Sequence, residues 1–480
     1  MPDPIVMMTA TALAGCIKRR ELSCREVMQA TLDQIDRVNP AVNAIVALRP
    51  RDVLLAQADA ADADADAQTG QATGWMHGLP HAVKDLAATT DIPTSLGSPL
   101  FAGNLPGHDA IFVERLRASG AILIGKTNTP EFGMGSQTYN SVYGTTGNAY
   151  DPSRTAGGSS GGAAVALALR MVPVADGSDF AGSLRNPAGW NNVFGFRPSA
   201  GRVPGGPTNE LYLQSVATEG PMARNVTDLA MLLSTMSGPD ARAPQSLPGN
   251  PQDFTRPLAR DMAGVRIGWL GDLGGIPMAP GMLDLCLSGL QRLTAAGCTI
   301  EPATLGVGRE TIWHSITTLR QAFQAGRLGL LYHDPAKRAQ MKPEAVWEIE
   351  HGLRLSAVDV YAASVQRSAV YEAFRLAFEQ FDFLALPTAQ VFPFDATVPW
   401  PSVVGGVEMD SYHRWMEIVA GPSLAGLPIA AVPAGFGPDG LSSGIQLIGP
   451  PRQDFAVLQL AYAYEQVAQD VLHRLPPLLG

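Results

Sequence analysis

The chain has 480 residues, of which 46% are hydrophobic and 16% are charged, and its formal net charge is −10. The hydrophobic fraction is typical of a globular protein with a sizeable core, whereas the charged fraction is below the usual ~25%. The acidic balance argues mildly against direct binding to nucleic acid. The longest apolar stretch without charge, residues 418–438, contains four prolines and four glycines. A membrane-spanning helix is therefore not expected.

The N-terminal residues are predicted to begin a helix. Residues 13–16 are similar to a lipoprotein cleavage site, but the basic segment of a signal peptide is missing before Cys16. The four cysteines show no C-x-x-C spacing, which predicts free, mostly buried thiols and a cytoplasmic location. They are Cys16, Cys24, Cys286 and Cys298.

The first long helix is predicted to follow Ser23, which can form a capping box with Glu26. Apolar residues then recur on one helical face, namely Met28, Leu32 and Ile35. The dipeptide Asn39–Pro40 is predicted to end this helix, because proline cannot continue the helical hydrogen bonds.

An Ala/Asp run at residues 58–67 carries four acidic side chains. A calcium loop needs a glycine turn and spaced ligands, and both are missing from this run. We interpret it as a solvated helix face, and we expect no metal site in the chain.

From residue 78 onward, short apolar runs alternate with Gly and Pro, and helical patterns return at residues 282–380. Residues 381–394 and 426–436 are typical of strands that end at prolines. Helices that alternate with strands predict a layered α/β fold.

Residues 120–127 match the nucleotide-binding pattern G-x-x-x-x-G-K-T in every letter. In a phosphate loop the four middle residues form a turn and a helix follows. Here the middle residues are Ala-Ile-Leu-Ile, and Asn-Thr-Pro follows. The pattern therefore predicts a buried strand and no phosphate loop.

Residues 157–161 match G-x-S-x-G, the nucleophile turn of many hydrolases, which requires a preceding strand and a histidine base. The preceding residues are typical of a turn, and the five histidines that follow show no supporting pattern: His314, His333, His351, His413 and His473. A lysine can replace histidine if burial lowers its pKa. Lys84 and Lys126 are the candidates, and a surface lysine at a strand end is the alternative for each.

A second glycine–serine turn surrounds Ser183, which follows Ala181 and Gly182. Small residues before a serine let successive backbone N–H groups point at one place, as an oxyanion hole requires. Asp179 and Arg185 flank this turn with opposite charges, and we expect them to hold it as an ion pair.

Together these segments resemble the amidase signature family. The resemblance covers nearly the whole chain and is densest at residues 78–204. It implies one domain over residues 1–480, with residues 240–400 more variable and shaping the substrate pocket. The implied fold is α/β/α, with a central mixed twisted sheet covered by helices on both faces. The matching segments are GLPHAVKD (78–85), GKTNTPEF (125–132), GGSSGG (157–162), GSDFAGSLRNPA (177–188), GFRPSAGRVP (195–204) and the C-terminal residues 425–450.

The resemblance also implies a Ser-Ser-Lys triad, with Ser183 as the nucleophile that becomes the acyl-enzyme, Ser159 as the bridging serine and Lys84 as the base. It implies a cis peptide bond between residues 158 and 159, and Ser160 is expected to hold the loop by hydrogen bonds. Further positions follow from the family pattern: oxyanion donors at Phe180, Ala181, Gly182 and Ser183, and the substrate mouth near Gly133 and Met134.

Two positions depart from the family pattern. Ala181 stands where the family usually has glycine, and a methyl group there restricts positive φ. Trp190 lies in a segment that the family usually fills with small residues, so this side chain either lines the site or packs beneath it, and we expect packing.

The resemblance implies an amidase that hydrolyses a carboxamide to a carboxylic acid and ammonia or an amine, with no metal or organic cofactor. The alternatives are the A subunit of a glutamine-dependent tRNA amidotransferase, a specialised hydrolase for aryl acylamides, cyclic oligoamides or urea-like substrates, and an inactive scaffold. We expect a small-molecule amide as the partner, with no nucleic acid and no membrane, and a homodimer stays open.

Overall fold

The computed structural model describes residues 2–67 and 74–480, and the side chains of residues 65–67 lie outside this description. Within these ranges the helices are α1 Pro4–Met7, α2 Ala10–Lys18, α3 Cys24–Val42, α4 Arg51–Ala67, α5 Ile111–Ala118, α6 Gly161–Ala168, α7 Asn186–Trp190, α8 Val226–Met236, α9 Met282–Gln291, α10 Arg309–Tyr332, α11 Pro335–Arg338, α12 Pro343–Gly352, α13 Ala357–Ala377, α14 Ala420–Leu424, α15 Asp454–Val467 and α16 Gln469–Leu472. The strands are β1 Ile45–Val46, β2 Pro80–Lys84, β3 Ile122–Thr127, β4 Tyr139–Asn140, β5 Gly144–Thr145, β6 Val174–Asp179, β7 Phe194–Arg197, β8 Thr218–Ala223, β9 Arg266–Trp269, β10 Thr299–Pro302, β11 Phe383–Pro387, β12 Val403–Val404, β13 Val407–Glu408, β14 Ile429–Phe436 and β15 Ser442–Ile448.

The central sheet has eight strands in the order β10-β9-β11-β15-β14-β7-β8-β6. The pairs β10–β9 and β9–β11 are parallel, whereas the other neighbours are antiparallel. A smaller sheet has the order β1-β3-β2, and its strand β2 lies against β6 at the end of the large sheet. The predicted mixed sheet is therefore confirmed.

Alternate residues of β11 enter two different hydrophobic cores. Phe383 and Ala385 pack in the core beneath α9 and α15, whereas Leu384 and Leu386 pack in the core shared with α10, α13 and α14. Side chains alternate between the two faces of a strand, so both faces of the central sheet are covered. This arrangement confirms the predicted α/β/α layers.

The predicted capping box of α3 is confirmed. The Ser23 hydroxyl accepts a hydrogen bond from the backbone N–H of Glu26 at 3.1 Å, and the Glu26 carboxylate accepts the backbone N–H of Ser23 at 2.8 Å. These two bonds satisfy donors that a helix start leaves without partners.

The predicted end of α3 at Asn39–Pro40 is wrong, because the helix continues to Val42 and ends at Asn43, which has φ 51°. Val38 and Val42 are one helical turn apart and both are buried in the core. Their packing maintains the last turn, where the missing N–H of Pro40 removes only one helical hydrogen bond.

The Ala/Asp run lies on α4, as predicted for a solvated helix. Asp59 pairs with Arg25 at 2.5 Å, and Asp62 accepts the backbone N–H groups of Cys24 and Arg25 at 2.7 and 3.1 Å. Asp62 thus stabilises the start of α3. Among the described residues, no group of three or more His, Cys, Asp or Glu side chains could bind a metal ion.

Residues 122–127 form the fully buried strand β3, which pairs with β1 and β2. The interpretation of GxxxxGKT as a strand is therefore confirmed. None of the helices described in residues 2–67 and 74–480 has the length and apolar character needed to cross a bilayer.

The four cysteines are all free, and three of them are buried. Cys286 is fully buried in the main core, and burial raises the pKa of its thiol to about 12. Because the thiolate is the nucleophilic form, this cysteine is inert at neutral pH.

Gly189 and Gly326 both lie in helices, and a methyl group added at these two positions is expected to change the stability of the protein in opposite directions. A Cβ at Gly189 would lie 2.5 Å from Thr388 Oγ1 and 2.8 Å from the backbone nitrogen of Gly444, whereas a Cβ at Gly326 meets no atom within 4 Å. We expect Gly189→Ala to reduce the free energy of unfolding by about 1–3 kcal/mol. Gly326→Ala should increase it by up to about 1 kcal/mol. Thermal unfolding followed by circular dichroism tests the pair, and equal shifts of the two midpoints would contradict the packing argument.

Candidate active site

Three structural elements meet around the side chain of Lys84. Lys84 is the last residue of β2, Ser159 and Ser160 lie in the loop that leads into α6, and Ser178 lies near the end of β6. The contacts of β2 and of α6 with β6 bring these residues together.

The Lys84 ammonium group lies among hydroxyl groups. Its Nζ donates hydrogen bonds to the Oγ atoms of Ser159 and Ser160 at 2.8 Å each, and to Ser178 Oγ at 2.9 Å. Three acceptors match the three N–H bonds of an ammonium group. Lys84 is only 1% exposed, so the alternative of a surface lysine is wrong.

Burial also determines the charge of this lysine. Desolvation lowers the pKa of Lys84 to about 8, although the carboxylates of Glu219, Asp176 and Asp179 act in the opposite direction. A lysine with this pKa is partly neutral near pH 7 to 8 and can accept a proton.

Lys126 is buried as well, so the surface alternative is wrong for it too. Its Nζ donates to the carbonyl oxygen of Ala87 at 2.7 Å and to Thr94 Oγ1 at 2.9 Å. These contacts connect β3 to the segment after β2. The structure therefore brings Lys84, and not Lys126, to the serines.

Asp176 anchors the backbone of Lys84. Its carboxylate accepts the Lys84 backbone N–H at 3.2 Å and a hydrogen bond from His81 Nε2 at 2.9 Å. All three residues are buried. This carboxylate therefore joins β2 to β6 directly below the lysine side chain.

The loop before α6 contains the predicted cis peptide bond between Gly158 and Ser159. Two hydroxyl groups hold the carbonyl oxygen of this bond and that of the preceding one. Ser136 Oγ donates to the carbonyl oxygen of Gly158, and Thr138 Oγ1 donates to that of Gly157, both at 2.8 Å. The Ser159 hydroxyl is thereby presented to Lys84 from a loop with fixed neighbours.

Ser160 links this loop to the second serine turn. Its backbone N–H donates to the carbonyl oxygen of Ser183 at 3.2 Å. Its hydroxyl accepts from Lys84 and from the backbone N–H of Ser178 at 3.4 Å. These contacts agree with the expected role of Ser160 in holding the loop.

The turn that carries Ser183 is organised by the carboxylate of Asp179. This carboxylate accepts the backbone N–H of Gly182 at 2.8 Å and that of Leu184 at 3.0 Å. The Gly182 N–H is therefore occupied. The backbone N–H groups of Phe180, Ala181 and Ser183 have no acceptor among the described residues.

The alanine in this turn is accommodated without backbone strain. Ala181 is not one of the residues with positive φ, whereas Gly182 has φ +95°. A Cβ at Gly182 would also lie 2.9 Å from Val419 Cγ2. Glycine is thus needed at residue 182 and not at residue 181.

The predicted ion pair of Asp179 and Arg185 is confirmed at 2.9 Å. The sequence analysis missed Arg197, which contacts the same carboxylate at 3.1 Å, and none of the three side chains is exposed. Burial alone would raise the pKa of Asp179, but the two arginines outweigh it and hold this pKa well below its usual range.

The two serines of the predicted relay differ in their contacts. Ser159 bonds to Lys84, whereas Ser183 is 8% exposed and its Oγ makes no hydrogen bond to any described residue. Among the described residues, no histidine hydrogen-bonds to Ser159 or Ser183. The structure thus joins Lys84 to Ser159, and the Ser183 hydroxyl has no hydrogen-bond partner in the part of the chain that is described.

Gly133 lies beside Ser159, because a Cβ on this glycine would be 3.6 Å from Ser159 Oγ. Met134 has no exposed surface and packs with Phe132 and Leu328 in a separate core. A role for these two positions at the substrate mouth stays a prediction.

Trp190 packs beneath the site, as expected. It is fully buried and stacks on Trp415, with ring centroids 5.9 Å apart and an interplanar angle of 15°. Its Nε1 donates to the carbonyl oxygen of Val391 at 3.2 Å.

A pocket beside the Ser183 turn has mostly apolar walls. It is lined by Ala181, Trp313, Ile316, Thr317, Arg320, His413, Met416 and Ala420. Of these residues, the sequence analysis placed only Ala181 at the site, because the others come from α10 and from residues 413–420, which carry no local signal. Only folding places these two segments together against residue 181.

Arg320 in this pocket is already neutralised. It pairs with the buried carboxylate of Glu348 and donates to the Tyr412 hydroxyl at 2.9 Å. Its guanidinium lies 5.3 Å from the centre of the Phe180 ring. Arg320 therefore supports the position of Phe180 and does not present a free charge.

Comparison with known proteins assigns the chain to a family. The amidase family model matches residues 26–458. The chain is 32% identical over 463 residues to an acylamidase of Rhodococcus erythropolis, with 96% of this chain and 95% of that protein covered. It is 34% identical over 471 residues to the A subunit of the glutamyl-tRNA(Gln) amidotransferase of Thermosynechococcus vestitus, with 93% and 95% covered.

Comparison of the fold with solved structures leads to the same family. The solved structure of a bacterial aryl acylamidase of the amidase signature enzymes matches with a TM-score of 0.91 and 29% identity, over 98% of both chains. The chain therefore belongs to the amidase signature family, a family of amide-hydrolysing enzymes.

The Asp179 network predicts a large loss of stability when its charge is removed. Asp179→Asn leaves Arg185 and Arg197 buried without a counter-charge, so we expect the free energy of unfolding to fall by about 3–5 kcal/mol. Thermal unfolding measures this loss. The control is Glu301→Gln, which breaks an exposed pair with Arg266 and should leave the midpoint nearly unchanged. Equal effects of the two variants would contradict the structural role of Asp179.

Proposed function

We propose that this protein is an amidase that cleaves a carboxamide through an acyl-enzyme on Ser183, with Ser159 and Lys84 as the proton relay. The observation that carries the proposal is the buried Lys84, whose Nζ lies 2.8 Å from Ser159 Oγ and whose pKa is lowered to about 8. A partly neutral lysine next to a serine is the activated pair that serine acylation without histidine requires.

In acylation, neutral Lys84 takes the proton of Ser159, which takes the proton of Ser183. The Ser183 oxygen forms a bond to the amide carbon, and the carbonyl π electrons move to the oxygen. When the tetrahedral intermediate collapses, the C–N bond breaks, and the relay returns the proton to nitrogen. Ammonia or an amine leaves, because an unprotonated amide anion is too basic to be expelled.

In deacylation, water takes the place of the departed amine. The relay removes a proton from water, and the water oxygen attacks the ester carbon of the acyl-enzyme. The C–O bond to Ser183 then breaks, and the serine regains its proton. The products are the carboxylic acid and the free enzyme, and no electron carrier is consumed.

The oxyanion of both intermediates requires preorganised donors. The backbone N–H groups of Phe180, Ala181 and Ser183 are available for this purpose, since they have no acceptor among the described residues. The N–H of Gly182 instead holds the turn through Asp179. We therefore assign the oxyanion hole to three of the four positions that the family pattern implies.

The pocket beside Ala181 supports an apolar substrate. Trp313, Ile316 and Met416 contribute aromatic and aliphatic surface, and Arg320 is neutralised by Glu348. The cavity volume is about 20 Å³, so the walls must move apart for an aryl or alkyl group of an acylamide to bury its surface there. Such a group would lose no ionic partners. The acylamidases among the relatives are named for substrates of this type.

The second candidate is the A subunit of an amidotransferase, which the identity of 34% to such a protein favours. Free glutamine carries both an ammonium and a carboxylate group, and each needs an ionic partner when it is buried. Arg320, the cation of the pocket, already pairs with Glu348. The pocket therefore favours the acylamidase over the amidotransferase, and over urea-like substrates that lack an apolar group.

The proposal also includes the domain organisation, the cellular location and the assembly of the protein. The family match over residues 26–458 supports one domain spanning the chain. Free, mostly buried cysteines support a cytoplasmic location. A homodimer is the assembly to test, by light scattering of the purified protein.

The roles assigned to the three serines predict different labelling rates for their alanine variants. A fluorophosphonate reagent should add to wild-type protein at residue 183, and Ser183→Ala should take up no label in intact-mass measurements. Ser159→Ala should label about 10²–10⁴-fold more slowly, because it interrupts the relay. Ser160→Ala is the matched control, with a smaller loss, since this serine also contacts Lys84. Full labelling of Ser183→Ala would refute the mechanism.

The substrate assignment predicts a preference among amides. An aryl acylamide or an apolar alkyl amide should have kcat/KM at least about tenfold above that of L-glutamine. Steady-state assays of released amine or ammonia measure the preference. A preference for glutamine, or activity that requires a co-purifying partner, would instead support the amidotransferase alternative.

A further inference from the structure

Three carboxylates influence Lys84, and they differ in their own partners. Asp176 accepts hydrogen bonds from His81 and from the Lys84 backbone, and Asp179 is paired with two arginines. The side chain of Glu219 has neither a hydrogen bond nor an ion pair with any described residue. Among the described residues, its carboxyl group therefore has the fewest partners of the three.

The register of the sheet places Glu219 on the face of Lys84. In the antiparallel pair β6–β8, Glu219 lies directly opposite Ser178. Residues that face each other across antiparallel strands project to the same side of the sheet. Since Ser178 Oγ accepts from Lys84 Nζ at 2.9 Å, Glu219 projects from the same face of the sheet that the ammonium group contacts. Asp176, two residues before Ser178, projects to the same face.

We infer that Glu219 is a positioning residue for the proposed reaction. Its carboxylate is the counter-charge that stabilises the buried ammonium form of Lys84 when this form arises in the proton relay. This inference rests on the proposed function of Lys84. Glu219 acts through the lysine and contacts no reacting atom. In each cycle Lys84 must gain a proton and then return it, so both of its charge states have to be reached within the same site.

The protonation states of Lys84 and Glu219 depend on each other. Burial raises the pKa of Glu219, and the nearby Lys84 opposes that effect, so the two groups compete for one proton. A neutral lysine with a protonated Glu219 has the same total charge as an ammonium with a carboxylate. Only with Glu219 ionised does the proton that Lys84 takes from Ser159 leave the pair neutral, as an ammonium beside a carboxylate. Asp176 is the other charged group that acts on Glu219.

The test is the pH dependence of fluorophosphonate labelling, followed by intact mass. In wild-type protein, the rate should rise with pH through about 8, as Lys84 becomes neutral. Glu219→Gln removes a negative charge, which destabilises the ammonium form of Lys84 and lowers its pKa. We expect the rise to move to lower pH by roughly one unit. Amide hydrolysis should show the shift in kcat/KM, with KM little changed, because Glu219 does not contact substrate.

Three further variants serve as controls. Glu219→Thr is a second neutral variant that suits a strand, and it should shift the profile in the same direction. Glu219→Asp keeps the charge and should keep the profile near that of the wild type. Glu408→Gln removes an exposed carboxylate on β13 and should change nothing.

Several results would overturn the inference. A profile that is unchanged, or moves to higher pH, in both neutral variants would show that Glu219 does not act on Lys84. Loss of folding in both neutral variants would show a structural role instead. The Ser183→Ala variant separates this outcome from failure of the proposed function. If that variant still takes up the label, the mechanism itself is wrong. If it takes up none while the Glu219→Gln profile is unchanged, only the role of Glu219 is wrong.

Discussion

The structure around the site depends on the cost of burying the ammonium group of Lys84. A buried cation needs hydrogen-bond acceptors and nearby negative charge. Three serine hydroxyls supply the acceptors, and they come from the loop before α6 and from β6. The close contact of β2 with β6, and the hydrogen bond from the Lys84 backbone to Asp176, hold this lysine beside those acceptors.

A second buried charge shapes the turn that carries Ser183. Asp179 binds two arginines and two backbone N–H groups, so one carboxylate determines the path of residues 180–184. Arg185 also contacts Gln446 on β15 and the Ser423 hydroxyl on α14, which ties the turn to the centre of the sheet. The turn is therefore fixed to the core both by its backbone and by the side chain of Arg185.

Much of the fold and site follows from residues that are close in sequence or from the family pattern. The capping box of α3, the strand at residues 122–127, and the pair of Asp179 and Arg185 all involve short separations, and all three are confirmed. The helix that continues past Pro40 shows the limit of local rules. Its last turn is maintained by core packing, which a sequence window does not contain.

The sequence by itself determined the class of fold, the segments that carry the serines, and the lysines available as a base, because glycine turns and apolar runs act through local backbone geometry. The family pattern had already pointed to Lys84, and only the tertiary structure decided which turn N–H is occupied and which charges surround the site. Arg197 and Glu219 reach the site through the pairing of β8 with β6 and β7. Such neighbours are distant along the chain, and their contacts exist only when the sheet has formed.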